Sequence, residues 1–373
     1  MAQATTDEVT RPRRFTSVDA LRGFAMVWIV GGQHVGSALK DWSGGRGPLN
    51  FIGVQLDHSL WQGLTFFDLV FPLFLFVVGV SLVFSLGRMM AQEGVRAAHR
   101  RILRRFVLLF LLGILYNGGL TLAWPEVRLL GVLQRIAICY AVAGLLFCHV
   151  RLRGLIVAFV LSLGVYWALM TFVPPPGQPA GVFAPGRNLA NYVDLRFLPG
   201  LLPNKTWDAD GLLSTLPSVG TCLLGVFAGL LLTHRSLDDK RKALYLAAGG
   251  LALVVLGHLW GLQFPIIKAL WTSSYVLATG GYSLLLLSGF YLVIDMRNRR
   301  TWALPFIWVG MNAIVIFFLP NIVSMHELAQ RIVGGSVERA LGGFGPVLTA
   351  SVGLSLVLLV ARFLYRRQIF LRI

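Results

Sequence analysis

The chain has 373 residues, 56% of them hydrophobic and 13% charged, with a mean hydropathy of +0.72. A soluble surface needs about a quarter of its residues charged, so this composition excludes a disordered or ordinary water-soluble protein and predicts an all-α, polytopic membrane helix bundle. The formal charge of +17 comes from 33 Lys and Arg against 16 Asp and Glu; in a membrane chain the location of such charge matters more than its total.

Apolar runs cut at polar and Pro/Gly clusters predict ten spans, about ten or eleven transmembrane helices in all. They lie near 18–37, 64–86, 102–119, 128–148, 153–173, 212–233, 243–260, 271–294, 302–320 and 346–365. The first is diluted by Asp19, Arg22, Gln33 and His34. No small-residue cleavage site follows the N-terminal arginines, which reads as an uncleaved first span. With the N-terminus inside, the basic clusters Arg96, Arg100, Arg101, Arg104 and Arg105, then Arg235, Lys240, Arg241 and Lys242, then Arg297, Arg299 and Arg300, and finally Arg362, Arg366 and Arg367 all become cytoplasmic. The charges of the external segments largely cancel, so the basic excess follows the positive-inside pattern and gives no support to a nucleic-acid partner. Both termini are expected in the cytoplasm, with residues 1–14 as a tail and 15–373 as one transmembrane domain.

The longest connection, about 174–211, is expected to be external and structureless. Pro174, Pro175, Pro176, Pro179, Pro185, Pro199 and Pro203 oppose continuous helix, while Tyr192, Asp194, Trp207, Asp208 and Asp210 supply aromatic faces and carboxylates. A loop this long is either a binding surface or a solvated connector. Cys139, Cys148 and Cys222 lack the spacing of a disulfide framework or a metal site. No two-halves repeat of the transporter kind is visible, and P-loop, HExxH, GxSxG and Rossmann patterns are absent.

An ionisable side chain in hydrocarbon costs several kcal/mol unless it faces a partner or a cavity, so each one is a candidate for function. Asp19 and Arg22, three apart, share a helix face and make either a local ion pair or a ligand site. His58 lies just before the second span, where an interfacial histidine is either a structural hydrogen-bonder or a base. Asp68 follows ten residues deeper; it could orient an imidazole or hold a substrate amine. Pro72 should kink that helix. Gln134 and Arg135 sit inside the fourth span. A buried guanidinium there is explained by pairing with Asp68 or by a phosphate or carbonyl of a cofactor. Trp271, Thr272, Ser273, Ser274 and Tyr275 at the mouth of the eighth span, and Asn312 in the ninth, are uncharged polar or aromatic groups that fit interhelical hydrogen bonds.

At these residues the sequence resembles the heparan-α-glucosaminide N-acetyltransferase family. Six blocks carry the resemblance in order: Ser17-Val18-Asp19-Ala20-Leu21-Arg22-Gly23; Asp57-His58 through Trp61-Gln62-Gly63-Leu64-Thr65 to Asp68 and Pro72; Gly131-Val132-Leu133-Gln134-Arg135-Ile136; Asp210-Gly211-Leu212-Leu213-Ser214-Thr215-Leu216-Pro217; Leu270-Trp271-Thr272-Ser273-Ser274-Tyr275-Val276-Leu277; and Gly310-Met311-Asn312-Ala313. The resemblance implies transfer of acetyl from cytoplasmic acetyl-CoA to the amine of a terminal glucosamine on the opposite face of the membrane. It puts the active-site histidine at His58, with Asp68 beside it. Members of the family often carry an Asn near the end of the first span, where this chain has Gly32-Gln33-His34.

Chemistry then distributes the remaining roles. Acetyl-CoA is the donor and no metal is required; Arg22, Arg104, Arg105, Gln134 and Arg135 are the candidates to hold its nucleotide end and arm. Gln33, His34, Trp61, Asp208, Asp210, Ser273, Ser274 and Asn312 are the candidates for an amino-sugar or oligosaccharide acceptor. His58 acts as general base or as acetyl carrier. The rival readings are a proton-coupled transporter of a sugar or amphipathic solute, using His58, Asp68 and Arg135, and an O-acetyltransferase of an envelope polysaccharide. The lipid bilayer is the surrounding partner, a homodimer is allowed, and few cysteines with an uncleaved multi-span chain fit a bacterial inner membrane.

Overall fold

A computed structural model describes residues 14–119 and 121–371. The proposed tail, save Arg14, lies outside them. In chain order the helices are α1 (Thr16–Val27), α2 (Gln33–Trp42), α3 (Gly47–Gln55), α4 (Phe66–Glu93), α5 (Val95–Tyr116), α6 (Val132–His149), α7 (Leu152–Phe172), α8 (Leu189–Phe197), α9 (Thr215–Thr233), α10 (Asp239–Gly261), α11 (Ser273–Phe290), α12 (Leu304–Met311), α13 (Ala313–Ile322), α14 (Met325–Val333), α15 (Ser336–Ala340) and α16 (Gly345–Arg366). The described residues contain no strand, only an isolated bridge between Arg128 and Gly200.

Among the described residues seven helices are long and apolar enough to cross a membrane, and the α12–α13 pair, bent by 70° at Asn312, makes an eighth if counted as one span. The other two predicted spans exist as rods that fail this test because of their polar residues. One is α1 running through the π segment Trp28–Gly32 into α2; the other is α5, whose first half carries Arg96, His99, Arg100, Arg101, Arg104 and Arg105. The chain is thus a polytopic helical membrane protein. The 174–211 connection is not structureless as expected. It contains α8, begun by Asn188, whose side chain accepts from the Asn191 N–H at 3.0 Å. Pro72 lies inside α4, which runs as one helix from Phe66 to Glu93.

The bundle is held by close helix pairs: α10 on α11, α4 on α9, α1 on α12 and α5 on α6. Without a hydrophobic drive between helices in lipid, small residues set such approaches. A Cβ on Gly225 of α9 would meet the Phe76 carbonyl of α4 at 1.9 Å, and one on Gly23 of α1 would meet the Phe306 carbonyl at 1.7 Å. Gly94, at φ +85°, makes the turn from α4 to α5. The start of α1 is anchored by Asp295, whose carboxylate accepts from the Thr16 and Ser17 N–H groups, each at 3.1 Å.

Because neither backbone at the α4–α9 crossing can retreat locally, Gly225→Ala is expected to force the two helices apart. Thermal unfolding followed by size-exclusion should show a lower midpoint, a loss of about 1–3 kcal/mol.

Candidate active site

The site begins at the N-terminus of α4. Thr65 and Asp68 form a capping box, with the Thr65 hydroxyl accepting from the Asp68 N–H at 3.3 Å and the Asp68 carboxylate accepting from the Thr65 N–H at 3.2 Å. The same fully buried carboxylate accepts from the Ser59 N–H at 3.1 Å and faces His58 Nδ1 at 2.9 Å. Lys268 Nζ lies 3.4 Å from Asp68 Oδ1, 2.7 Å from His58 Nδ1 and 3.2 Å from His58 Nε2. One Nδ1 cannot both donate to Asp68 and accept from Lys268. The carboxylate has only lone pairs to offer, so the tautomer that satisfies it carries the proton on Nδ1 and leaves Nε2 as the free base. His58 is itself 43% exposed and packs on Phe67, ring centroids 4.6 Å apart.

Pro72 has no N–H, which leaves the Asp68 carbonyl, four residues earlier, without its helical donor. Tyr275 of α11 supplies one, its hydroxyl donating to that carbonyl at 2.6 Å. Lys268 stands on a short turn before α11. It is held by the Gly63 N–H donating to the Ile266 carbonyl at 2.9 Å and the Ile267 N–H donating to Thr272 Oγ1 at 3.1 Å. Burial lowers the pKa of its ammonium, against the opposing pull of Asp68.

His58, Lys268, Gln33, Arg128, Asp210 and Trp271 line a chamber of about 340 Å³. A second chamber of about 280 Å³ is lined by Arg22, Ser81, Ser85, Arg101, Arg105, Gly310 and Met311, among others. Ile29, Val132 and Phe317 belong to both walls. Along α4, Asp68 and Ser81 are separated by about 20 Å of helix rise, so the chambers follow one another down the bundle. Arg22 donates to Ser81 Oγ at 2.6 Å and to the Gly310 carbonyl at 3.4 Å, and pairs with Asp19, also at 3.4 Å, which Arg14 shares at 2.7 Å.

The other sequence candidates divide. Arg105 lines the arginine chamber but Arg104 does not; Arg101, four residues before Arg105 and on its face, takes the place expected for Arg104. Arg135 does not pair with Asp68. It is buried over the Trp271 ring at 4.8 Å, donates to Ser214 Oγ and lies 3.4 Å from Asp210. Arg128 pairs with Asp208 and Asp210, fixing the long loop to the bundle. Gln134 is buried against Gly113 and lines neither chamber; Asn312 sits buried at the α12–α13 break beside the arginine chamber, not on its wall. Of the acceptor candidates, Gln33 and Asp210 reach the His58 chamber. His34 instead stacks on His326 at 5.0 Å in a separate cavity, and Trp61 meets Trp207 edge to face and donates to the Phe183 carbonyl at 2.9 Å. Ser273 and Ser274 donate to the Leu163 and Phe264 carbonyls at 2.8 and 2.6 Å. Lys268 and Arg101 were not among the sequence candidates; the one signal that could have found Lys268 is that it is the sole charge between the ends of α10 and α11. The described residues hold no group of three metal-ligating side chains.

A polytopic helical membrane protein with a histidine on a chamber wall, backed by a buried carboxylate, is the class this geometry defines. Residues 14–260 match the family model described as heparan-alpha-glucosaminide N-acetyltransferase, catalytic, and the chain belongs to that family. It is 28% identical over 418 residues to the mouse heparan-alpha-glucosaminide N-acetyltransferase and 28% identical over 421 residues to the human one, covering 96% and 97% of this chain. The chain spans 60% of the length of each of these curated relatives.

Tyr275→Phe is expected to strand the Asp68 carbonyl in a dry site at a cost of about 1–3 kcal/mol. The measurement is the thermal midpoint of the variant beside the wild type; an unchanged midpoint would mean that the carbonyl finds another donor.

Proposed function

We propose that the protein is a transmembrane acetyltransferase that moves acetyl from acetyl-CoA in the cytoplasm to the amine of a glucosamine-type sugar on the other face. The observation that carries this reading is His58 on the wall of one chamber, backed by the buried Asp68 carboxylate, with an arginine-lined chamber directly beyond a shared apolar wall. With the N-terminus cytoplasmic, Arg22, Arg101 and Arg105 lie on the cytoplasmic side, where their guanidinium groups suit the phosphates of the donor. The pantetheine arm, about half a bilayer long, then brings the thioester past Ile29, Val132 and Phe317 towards His58. In a bacterial inner membrane the acceptor would arrive from the periplasm.

The chemistry needs a base and little else. The acceptor nitrogen attacks the thioester carbonyl carbon, a C–N bond forms, and His58 Nε2 takes the amine proton. The developing imidazolium is stabilised by Asp68. Collapse of the tetrahedral intermediate breaks the C–S bond, and the proton passes from Nε2 to the departing thiolate, giving the amide and free CoA. Both substrates can meet at His58, so the general-base route needs no acetyl-imidazole. The family relationship favours this reading over a proton-coupled transporter, and the relatives' printed name favours an amine over a hydroxyl acceptor.

Purified protein given isotopically labelled acetyl-CoA and glucosamine should yield labelled N-acetylglucosamine by mass spectrometry, and His58→Ala should lower turnover by about 10²–10⁴-fold. Wild-type turnover retained in His58→Ala would remove the histidine from the chemistry. Arg22→Ala should raise the KM for acetyl-CoA several-fold while leaving that for the acceptor near its original value; equal changes in both would place Arg22 outside the donor site.

A further inference from the structure

Asp57, Asp68, Asp210, Arg128 and Lys268 adjoin His58 or share its chamber, and Lys40, Asp208 and Arg135 pair with members of that set; of the cations, Lys268 alone lacks an evident structural duty. From its own segment, Asp57 accepts the His58 N–H at 2.8 Å and pairs with Lys40 of α2 at 2.7 Å. From the loop before α9, Asp208 and Asp210 are matched by Arg128 and Arg135, which enter from the α5–α6 connection and α6. From α4 comes Asp68, fully buried, and the cation that meets it is Lys268, its side chain only 22% exposed. The turn that presents this lysine is built with some strain. Trp271, three residues on, is buried with a left-handed backbone at φ +50°, its indole N–H donating to Thr221 Oγ1 at 3.1 Å, while the Tyr166 hydroxyl holds the Leu270 carbonyl. A lysine serving solubility needs no such mounting.

A buried carboxylate facing an imidazole alone favours the protonated ring, which has no lone pair for an incoming amine proton. A second cation against the same carboxylate removes that preference. We infer that Lys268 is a positioning residue that balances the charge of Asp68 and thereby holds His58 as a neutral imidazole with Nε2 ready to accept a proton. The inference rests on the reading of His58 as the base and adds to it the group that keeps the base usable. Lys268 Nζ lies 3.2 Å from Nε2 in the chamber they share, so the mechanism requires the ammonium to give up that contact as the acceptor amine arrives.

The test reads the ring directly. Diethyl pyrocarbonate modifies neutral imidazole, so its rate on the peptide carrying His58, followed by mass spectrometry against pH, reports how readily that ring holds a proton. In the full-length protein, Lys268→Met should move this profile to higher pH by at least about one unit, roughly tenfold in proton affinity, and Lys268→Arg should return it towards the wild type. Should the Met variant not fold, Lys268→Gln serves the same comparison, since it also removes the charge. A profile that coincides with wild type in the charge-removing variant overturns the inference, whatever happens to turnover. The measurement does not depend on acetyl transfer. Failure of the transfer assay with a shifted profile would therefore reject the proposed function and keep the charge balance, whereas transfer with an unshifted profile would do the reverse.

Discussion

One buried carboxylate organises the His58 end of this bundle. Asp68 sits in the first turn of α4, where the free N–H groups and the helix field favour a negative charge. Its oxygens accept from the Thr65 and Ser59 N–H groups and meet His58 and Lys268. His58, Ser59 and Thr65 come from the 56–65 segment that leads into α4, and Lys268 from the turn before α11. Satisfying a single charge away from water therefore draws that segment and the turn onto the start of α4, and the imidazole is aimed as a by-product of the same requirement. The backbone of Asp68 adds a further tie, because Pro72 frees its carbonyl for Tyr275 of α11.

Below that level the helices are irregular where the chambers lie. Ile29 belongs to a π segment, and Gly310, Met311 and Phe317 flank or follow the 70° break at Asn312. Loosened backbone at membrane depth persists only where protein or a cavity satisfies its polar groups. Here Arg22 donates to the Gly310 carbonyl, so the helix break and the arginine chamber explain each other. By contrast, the tight α4–α9 and α1–α12 crossings depend on Gly225 and Gly23, and they bracket the open region with close-packed backbone.

The sequence was most legible where one physical rule dominates. Seven spans are strongly apolar, and hydropathy finds them; the α1–α2 rod and α5 carry so many polar residues that their lengths were visible only approximately. His58 and Asp68 were found because an ionisable residue in an apolar stretch demands an account. Arg135 was found for the same reason, but its partner was misplaced: Asp68 and Asp210 are equally plausible in sequence, and only the fold brings Asp210 to it. Arg101 was missed because three arginines in five residues leave the inward face of α5 undetermined. Lys268 was missed because charge in an external loop is ordinary, and nothing local reveals that this loop folds inward over Asp68. Proline density hid α8 in the long connection, where Asn188 capping and Asp194, accepting from the Leu212 N–H at 2.9 Å, supply the order.

The distribution of paired and open arginines gives the bundle a direction. Arg128 and Arg135 are answered by Asp208 and Asp210, so the guanidinium charge at the His58 end is consumed in holding the loop. At the other end, Arg22, Arg101 and Arg105 line a chamber to which Asp19 brings the one carboxylate in contact, through Arg22 and shared with Arg14; Arg105 leans on the Tyr140 ring at 4.5 Å, its buried Nε without a hydrogen-bond partner. Capacity to take up a polyanion is therefore concentrated on the side away from the base. By charge alone a polyanion and a cationic amine would sort to opposite ends of the two chambers, with Ile29, Val132 and Phe317 as the apolar wall between them.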